Sequence, residues 1–179
     1  MRRPAAELEN LKKPPKRKII LSVAVSLDGY VEGPNGEYDW YFIDKDYSLK
    51  EFFKRIDTIF VGRKTYEISS EMEGGPPGFP KFKEYIFSTT LDSVKKGATL
   101  IKEKRKKEKG RGRDIWLFGS AGLTTSLMNL GLVDELLLAF YPILLGSCKL
   151  LFKNIADRIH LTLLKQKLIQ QVLFLYDIL

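Results

Sequence analysis

Three short segments rich in glycine, hydroxyl groups and cations have the residue types that bind phosphate groups. They are Gly62-Arg63-Lys64-Thr65, Ser88-Thr89-Thr90 and Gly119-Ser120-Ala121-Gly122. Two of them are expected to enter helices, and a helix N-terminus offers a phosphate free N–H groups and a positive dipole. Each segment alone is more simply explained as a turn followed by a helix cap. Together they favour a dinucleotide, particularly one with an extra phosphate for Arg63 and Lys64.

Each of these segments follows an apolar run that predicts a β-strand. Strands are expected at residues 19–25, 58–61, 85–87, 98–101, 115–118, 135–141, 159–164 and 168–178. Helices are expected at about 49–56, at 65–70 and at 123–130, the last of them stopping at Gly131. Because ligands of open α/β sheets bind at the carboxyl ends of the strands, the loops that follow the strands are the expected site.

Strands that alternate with helices and end in a β pair predict a three-layer α/β sandwich with a mixed, mostly parallel sheet. The run at 19–25 is apolar almost throughout, as in a central strand that is covered on both faces. The final run alternates, and no helical crossover separates it from its predecessor. The C-terminal strands are therefore expected to pair antiparallel.

The chain has 179 residues, of which 44% are hydrophobic and 29% charged, which suits one globular domain. Residues 1–17 contain three prolines, several cations and little apolar content, so a flexible basic arm is expected before a domain at 18–179. No apolar run is long enough to span a bilayer and no signal peptide is recognisable, which predicts a cytoplasmic protein without a membrane partner. Cys148 is the single cysteine, so neither a disulfide nor a metal site is expected.

The net charge of +8 is concentrated in two runs. Residues 2–18 carry seven lysines and arginines against two glutamates, and residues 102–113 carry eight against two. These runs contribute +5 and +6, which leaves −3 for the rest of the chain. Neither run is interleaved with aromatic residues on which bases would stack. Both are therefore interpreted as solvated segments, and binding of nucleic acid is the weakest of the functional hypotheses.

The order of the motifs resembles the dihydrofolate reductase-like family that includes the reductase domain of riboflavin biosynthesis. In the N-terminal half the similar motifs are Ser26-Leu27-Asp28-Gly29-Tyr30, Gly33-Pro34-Asn35-Gly36 with Asp39-Trp40, and Val61-Gly62-Arg63-Lys64-Thr65-Tyr66-Glu67. In the C-terminal half they are Asp114-Ile115-Trp116-Leu117-Phe118-Gly119-Ser120, Gly131-Leu132-Val133-Asp134-Glu135-Leu136, and Pro142-Ile143-Leu144-Leu145-Gly146 with Leu151-Phe152. The resemblance covers about residues 18–179, and the ordered set is far more specific than any single motif.

This resemblance implies a dihydrofolate reductase fold, NADPH as hydride donor and a small pteridine- or pyrimidine-like substrate. It implies that the cofactor's phosphates meet Gly62, Arg63, Lys64 and Thr65 and also Gly119, Ser120, Ala121 and Gly122, its adenosine side Ser88 and Thr89, and its nicotinamide Val23 and Ala24. It places Ser26, Asp28 and Trp40 near the substrate. Ser120 departs from the family, which usually has a second glycine there, and its Cβ is expected to crowd the cofactor.

Reduction by a hydride also needs a proton, and a carboxylic acid in a water-poor cleft is one solution. The candidate proton donors are Asp28, Asp39 and Asp44. The residues expected to be catalytic are Asp28, Asp44 and Trp40. Asp28 is more simply explained as a turn aspartate before a glycine, and Asp39 as a solvated loop charge. Asp44 aligns loosely with the dihydrofolate reductase carboxylate.

The leading hypothesis is an NADPH-dependent reductase of a small heterocycle. The alternative is a catalytically weak or inactive nucleotide-binding module on the same fold. A homodimer is also expected, because the strands at 133–140 and 172–176 are apolar on both faces, whereas edge strands normally keep one face polar. A second copy of the chain would cover the exposed face, which includes outward residues such as Phe174. The resemblance agrees with this expectation, because members of that family are often dimeric.

Overall fold

The computed structural model describes residues 17–41, 49–71, 80–102, 112–169 and 172–178. One sheet has eight strands and a second sheet has two. The strands are β1 (Ile19–Ser26), β2 (Tyr30–Glu32), β3 (Ile56–Gly62), β4 (Lys83–Phe87), β5 (Ala98–Ile101), β6 (Asp114–Phe118), β7 (Glu135–Tyr141), β8 (Lys149–Leu150), β9 (Thr162–Ile169) and β10 (Val172–Ile178). The helices described are α1 (Lys50–Arg55), α2 (Arg63–Glu71) and α3 (Ala121–Asn129).

The large sheet has the strand order β5-β4-β3-β6-β1-β7-β10-β9. Neighbouring strands from β5 through β7 are parallel, whereas β10 is antiparallel to both β7 and β9. The apolar β1 lies between β6 and β7, and its residues Ile19, Ile20 and Leu21 are buried. The predicted α/β fold, with a mostly parallel sheet and antiparallel C-terminal strands, is therefore confirmed.

Helices cover both faces of the large sheet because side chains alternate along each strand. Leu21 of β1 packs on the face that also holds Leu123 and Leu127 of α3. Ile20 packs on the other face with Phe52 of α1. The sheet with its two helical layers gives the predicted three-layer sandwich.

Helix α3 ends at the glycine that the sequence indicated. Gly131 has φ +61°, and its N–H donates to the carbonyl of Met128 at 2.8 Å. The following N–H, of Leu132, donates to the carbonyl of Leu127 at 2.9 Å. These paired bonds form a Schellman motif, in which glycine adopts the left-handed conformation without a Cβ penalty.

The boundary between the last two strands was predicted wrongly. The sequence placed a gap at 165–167, but β9 continues through these residues to Ile169. Lys165, Gln166 and Lys167 interrupt the apolar pattern, yet their side chains are exposed on an edge strand, where no packing opposes a polar side chain. Residues 159–161, which the sequence assigned to a strand, precede β9.

Ion pairs at the amino ends of the strands hold the start of the domain. Arg17, the last residue of the predicted arm, donates to the side chains of Asp57 and Thr58. On the same edge, Arg55 of α1 pairs with Asp114 and Glu135 at 2.9 Å each. Residues 1–16 and 103–111, which make up most of the two basic runs, lie outside the described residues. Within the described residues, no helix has the length and apolar character needed to cross a membrane.

Candidate functional site

A groove of about 340 Å³ opens at the carboxyl ends of β3, β4, β5 and β6. Its lining residues are Gly62, Arg63, Phe87, Ser88, Thr89, Thr90, Ile101, Lys102, Ser120, Gly122 and Leu123. All three predicted phosphate-binding segments contribute to this lining. They meet there because the three strands that precede them, β3, β4 and β6, are parallel neighbours, whose carboxyl ends share one edge of the sheet.

Arg63 begins α2 and lines the groove beside Gly62. Its Nη1 donates to both carboxylate oxygens of Glu67, one helical turn further on, at 2.8 and 2.9 Å. Both side chains are 42% exposed, and an exposed pair at this spacing is weak. An anionic ligand can therefore compete with Glu67 for the guanidinium. Lys64 is exposed and does not line the groove.

The turn that leads into α3 places two consecutive residues at positive φ. Gly119 has φ +61° and Ser120 has φ +62°, a conformation that costs a residue with a Cβ about 1–2 kcal/mol. Gly119 lies against Thr65, because a Cβ at position 119 would be 3.1 Å from both Cγ2 and Oγ1 of Thr65. Thr65 therefore packs under the turn, and neither Thr65 nor Gly119 lines the groove.

Ser120 fills the space that a side chain at position 62 would need. A Cβ on Gly62 would overlap Ser120 Oγ and lie 2.6 Å from Ser120 Cβ, well inside the optimal separation of about 3.5–4.0 Å between carbon atoms. Both residues line the groove. The serine that departs from the family therefore stands in the groove wall, and its expected crowding of a cofactor stays a prediction.

Ser88 shapes the turn after β4. Its Oγ accepts hydrogen bonds from the N–H groups of Thr90 and Leu91 at 3.1 and 3.0 Å, so this buried hydroxyl holds the local chain. Its own N–H donates to the carbonyl of Ile101 at 3.1 Å, which ties the turn to the end of β5. Thr89 is exposed at the groove, where its hydroxyl is available to a ligand.

Four of the lining residues were not indicated by the sequence: Phe87, Ile101, Lys102 and Leu123. Lys102 is the notable omission, because it was assigned to a solvated basic run. It directly follows β5, so the rule that ligands bind where parallel strands end would have found it.

Ser26 and Asp28, the predicted substrate residues, form a hydrogen-bonded turn after β1. Ser26 is fully buried, and its Oγ donates to Asp28 Oδ1 at 2.6 Å. The Asp28 carboxylate also accepts from the N–H groups of Leu145 and Gly146, at 3.1 and 2.9 Å. The bond from Ser26, supported by these two backbone donors, lowers the pKa of Asp28 below its usual value. The ionised carboxylate of Asp28 thus joins the loop after β1 to the loop after β7. This geometry favours a structural role for Asp28 over proton donation.

The Asp28→Asn variant is expected to be less stable than the parent protein at neutral pH, because a neutral amide loses the charge-assisted bonds that the carboxylate accepts from Ser26, Leu145 and Gly146. The pKa of Asp28 is lower in the folded state, so its contribution is present above the unfolded pKa of about 3.9 and is lost as pH falls through the folded value. Urea unfolding over this range should show the difference shrinking in acid. A deficit that does not change with pH would contradict the assignment.

Trp40 lies against the carboxyl-terminal half of β1. Its ring meets that of Tyr141 at a centroid distance of 5.7 Å and an interplanar angle of 83°, in a cluster that includes Ala24 and Ile143. The Trp40 Nε1 is buried and has no hydrogen-bond partner among the described residues. Val23 packs on the opposite face of the sheet, so the side chains of Val23 and Ala24 do not share one surface.

The nicotinamide residues implied by the resemblance lie next to the turn after β6. Ser22 of β1 is in register with Phe118, the last residue of β6, so Val23 and Ala24 lie just beyond the end of β6. Ser120 follows β6, and Ala24 lies on the neighbouring strand β1.

Asp39 and Asp44 are the other two candidate proton donors. Asp39 is exposed and lines a shallow hollow of about 460 Å³ with Glu37, Tyr38 and Tyr41. Asp44 lies outside the described residues, so its assignment stays a prediction. In the described part of the chain, no group of three or more His, Cys, Asp or Glu side chains is arranged to hold a metal ion.

The family described as the RibD C-terminal domain matches residues 17–109 and 104–175 of this chain. Two proteins of Bacillus subtilis (strain 168) are similar over most of their length. The uncharacterised protein YyaP is 38% identical over 173 residues, covering 88% of this chain and 90% of YyaP. The uncharacterised protein YwjB is 31% identical over 161 residues, covering 83% and 90%.

Solved structures show the same fold. A protein described as a riboflavin biosynthesis protein from Shewanella sp. PV-4 superposes with a TM-score of 0.76 and 20% identity, over 90% of this chain and 98% of that one. The deaminase/5-amino-6-(5-phosphoribosylamino)uracil reductase of Thermotoga maritima gives 0.67 and 10% identity, over 91% and 56%. Acinetobacter baumannii RibD gives 0.66 and 17%, over 91% and 58%. These similarities confirm the resemblance to the dihydrofolate reductase-like family.

Proposed function

This chain belongs to the RibD C-terminal domain family, which has a reductase-type fold, and on that premise we propose that it is an NADPH-dependent reductase of a small pteridine- or pyrimidine-like heterocycle. One observation carries the proposal. Three phosphate-compatible turns, which follow β3, β4 and β6, meet in a single groove.

The residues of the groove fit a dinucleotide. Gly122 lines the groove, and an added Cβ there would have no atom within 4 Å, so a pyrophosphate can approach the backbone at the start of α3. The N-terminal N–H groups of α3 suit the same phosphates. Thr89 and Thr90 lie towards the outer strands, where the adenosine would bind.

When bound, NADPH supplies a hydride. The chain's own residues would orient the acceptor heterocycle for this transfer. Trp40 and Tyr141 provide an aromatic wall beside Ala24, on which a planar ring can stack. The buried Nε1 of Trp40 is a donor without a partner among the described residues, and a substrate carbonyl or ring nitrogen near it would satisfy that N–H.

NADPH should raise the melting temperature of the protein more than NADH does, because the groove carries cations and only NADPH has the ribose phosphate. A ligand that binds the native state alone stabilises it by about 2.7 kcal/mol at a hundred times its dissociation constant. Thermal unfolding with each cofactor at matched concentration measures the effect. Equal shifts, or no shift with either cofactor, would contradict the assignment of NADPH.

A nucleotide-binding module with little or no turnover is the second candidate. Two observations favour it: Ser120 stands in the groove wall at positive φ, and the Asp28 carboxylate is held ionised by its neighbours. Such a module would bind NADPH without oxidising it when substrate is added, so turnover separates the two candidates.

We also propose that two copies of the chain associate through β9. This edge strand exposes Leu164 and Leu168, which are 54% and 67% exposed and alternate with polar residues on one face. A self-complementary contact between two copies would remove these leucines from water. Phe174, the outward residue expected from the sequence, belongs to the adjacent strand β10, and its side chain lies outside the described part of the structure.

A further inference from the structure

We propose that Lys102 recognises an additional phosphate on the adenosine ribose and thereby sets the preference of the groove for NADPH over NADH. The inference rests on the proposed function and assigns one of its determinants to a residue outside the family motifs. It comes from the position of Lys102 and from the balance of charge in the groove lining.

The position of Lys102 is fixed by its neighbours. It directly follows β5, the outermost strand on this side of the sheet, and the carbonyl of Ile101 accepts the N–H of Ser88 at 3.1 Å. Lys102 therefore stands beside the turn at Ser88–Thr90 and lines the outer end of the groove. The pyrophosphate turn at Ser120 lies at the other end, two strands further in than β4. A dinucleotide that lies along the groove with its phosphates at the Ser120 end would direct its adenosine towards Lys102.

The charge balance favours the same residue. Among the residues that the structure describes, Arg63 and Lys102 are the charged side chains of the lining. The guanidinium of Arg63 is bonded to both oxygens of Glu67, which offsets its charge. Lys102 Nζ lies 3.6 Å from Asp92 Oδ1, and the Asp92 side chain is fully exposed, so solvent and salt screen that pair. Lys102 is therefore the cation that a phosphate can engage with the least competition.

Two residues of the α2 motif that the resemblance assigns to the cofactor's phosphates, Lys64 and Thr65, do not line the groove. Lys64 is exposed outside the groove lining, and Thr65 packs under Gly119. The adenosine phosphate would consequently depend on Lys102 more than on Lys64.

Calorimetric titration with adenosine 2′,5′-bisphosphate and with AMP tests this assignment, because the two probes differ by the phosphate in question. The parent protein is expected to bind the bisphosphate about tenfold more tightly, as for one charge-assisted contact. In Lys102→Met this ratio should fall close to one while the affinity for AMP is kept. Lys64→Met and the distant control Lys54→Met, whose side chain is 70% exposed on α1, should retain the ratio.

The outcomes separate the two proposals. If Lys102→Met keeps the tenfold ratio, or if Lys64→Met loses it, the assignment of Lys102 is overturned while the reductase proposal stands. If the parent protein binds neither probe nor NADPH, the proposed function fails and the assignment fails with it. A ratio that falls in Lys102→Met alone, and that declines in the parent protein as salt is raised, supports the assignment.

Discussion

Replacing Gly62 with alanine should weaken NADPH binding by about tenfold or more and lower the free energy of unfolding by about 1–3 kcal/mol. The new Cβ would overlap Ser120 Oγ and lie 2.6 Å from Ser120 Cβ. Ser120 cannot retreat easily, because its backbone already has φ +62° at the start of α3. The side chain would therefore be pushed into the groove that both residues line. Calorimetry with NADPH and urea unfolding measure the two effects.

The double variant Gly62→Ala/Ser120→Gly should recover most of both losses, since it removes the atoms that clash. Ser120→Gly alone should bind NADPH more tightly than the parent protein, because it relieves the crowding and suits the positive φ. Gly122→Ala is the matched control for stability, since its added methyl group would have no atom within 4 Å. If the two substitutions are additive, Gly62 and Ser120 do not interact as described. Weaker binding by Ser120→Gly would show that the hydroxyl serves the ligand.

Light scattering of the parent chain should give twice 20.6 kDa, and Leu164→Asp/Leu168→Asp should give monomer or aggregate. Burial of a leucine side chain contributes roughly 1.5–3 kcal/mol, and a twofold contact buries each residue twice. Two aspartates in each copy would replace this gain with charges of the same sign across the interface. Dimer dissociation is therefore expected to be complete at micromolar concentration.

Ile68→Asp provides the control for this experiment. Ile68 is also exposed, at 44%, but it lies on α2 at the other end of the sheet. This variant should remain dimeric. A monodisperse monomer for the parent chain would rule out the proposed association, and a dimer that survives both leucine substitutions would place the contact elsewhere.

The eight strands of the large sheet were predictable because strand signals are local and strong, whereas the short strands β2 and β8 of the second sheet were not predicted. The apolar run at 19–25 identified the central β1, and Gly131 marked the end of α3 within a residue. The prediction failed at 165–167, where exposed lysines interrupt the pattern of an edge strand. An edge strand of this kind is held by its backbone pairing with β10. This pairing leaves no periodic pattern in the side chains, so the sequence does not reveal it.

At the site, the sequence identified which turns converge but not which way their side chains face. Thr65 and Lys64 belong to the expected motif, yet one packs under Gly119 and the other is exposed. The bond from Ser26 to Asp28, and the two backbone donors from the loop after β7, join segments far apart in the chain. Contacts of this kind depend on tertiary packing, so a motif alone does not reveal them.

Oxidation of NADPH in the presence of a reducible heterocycle tests the central claim most directly. The purified chain, incubated with NADPH and either dihydrofolate or 5-amino-6-(5-phosphoribosylamino)uracil, should consume the cofactor in proportion to the substrate reduced. NADH should support a slower reaction at the same concentration. Binding of NADPH without its oxidation by any pteridine or pyrimidine substrate would contradict the reductase proposal and favour the nucleotide-binding module.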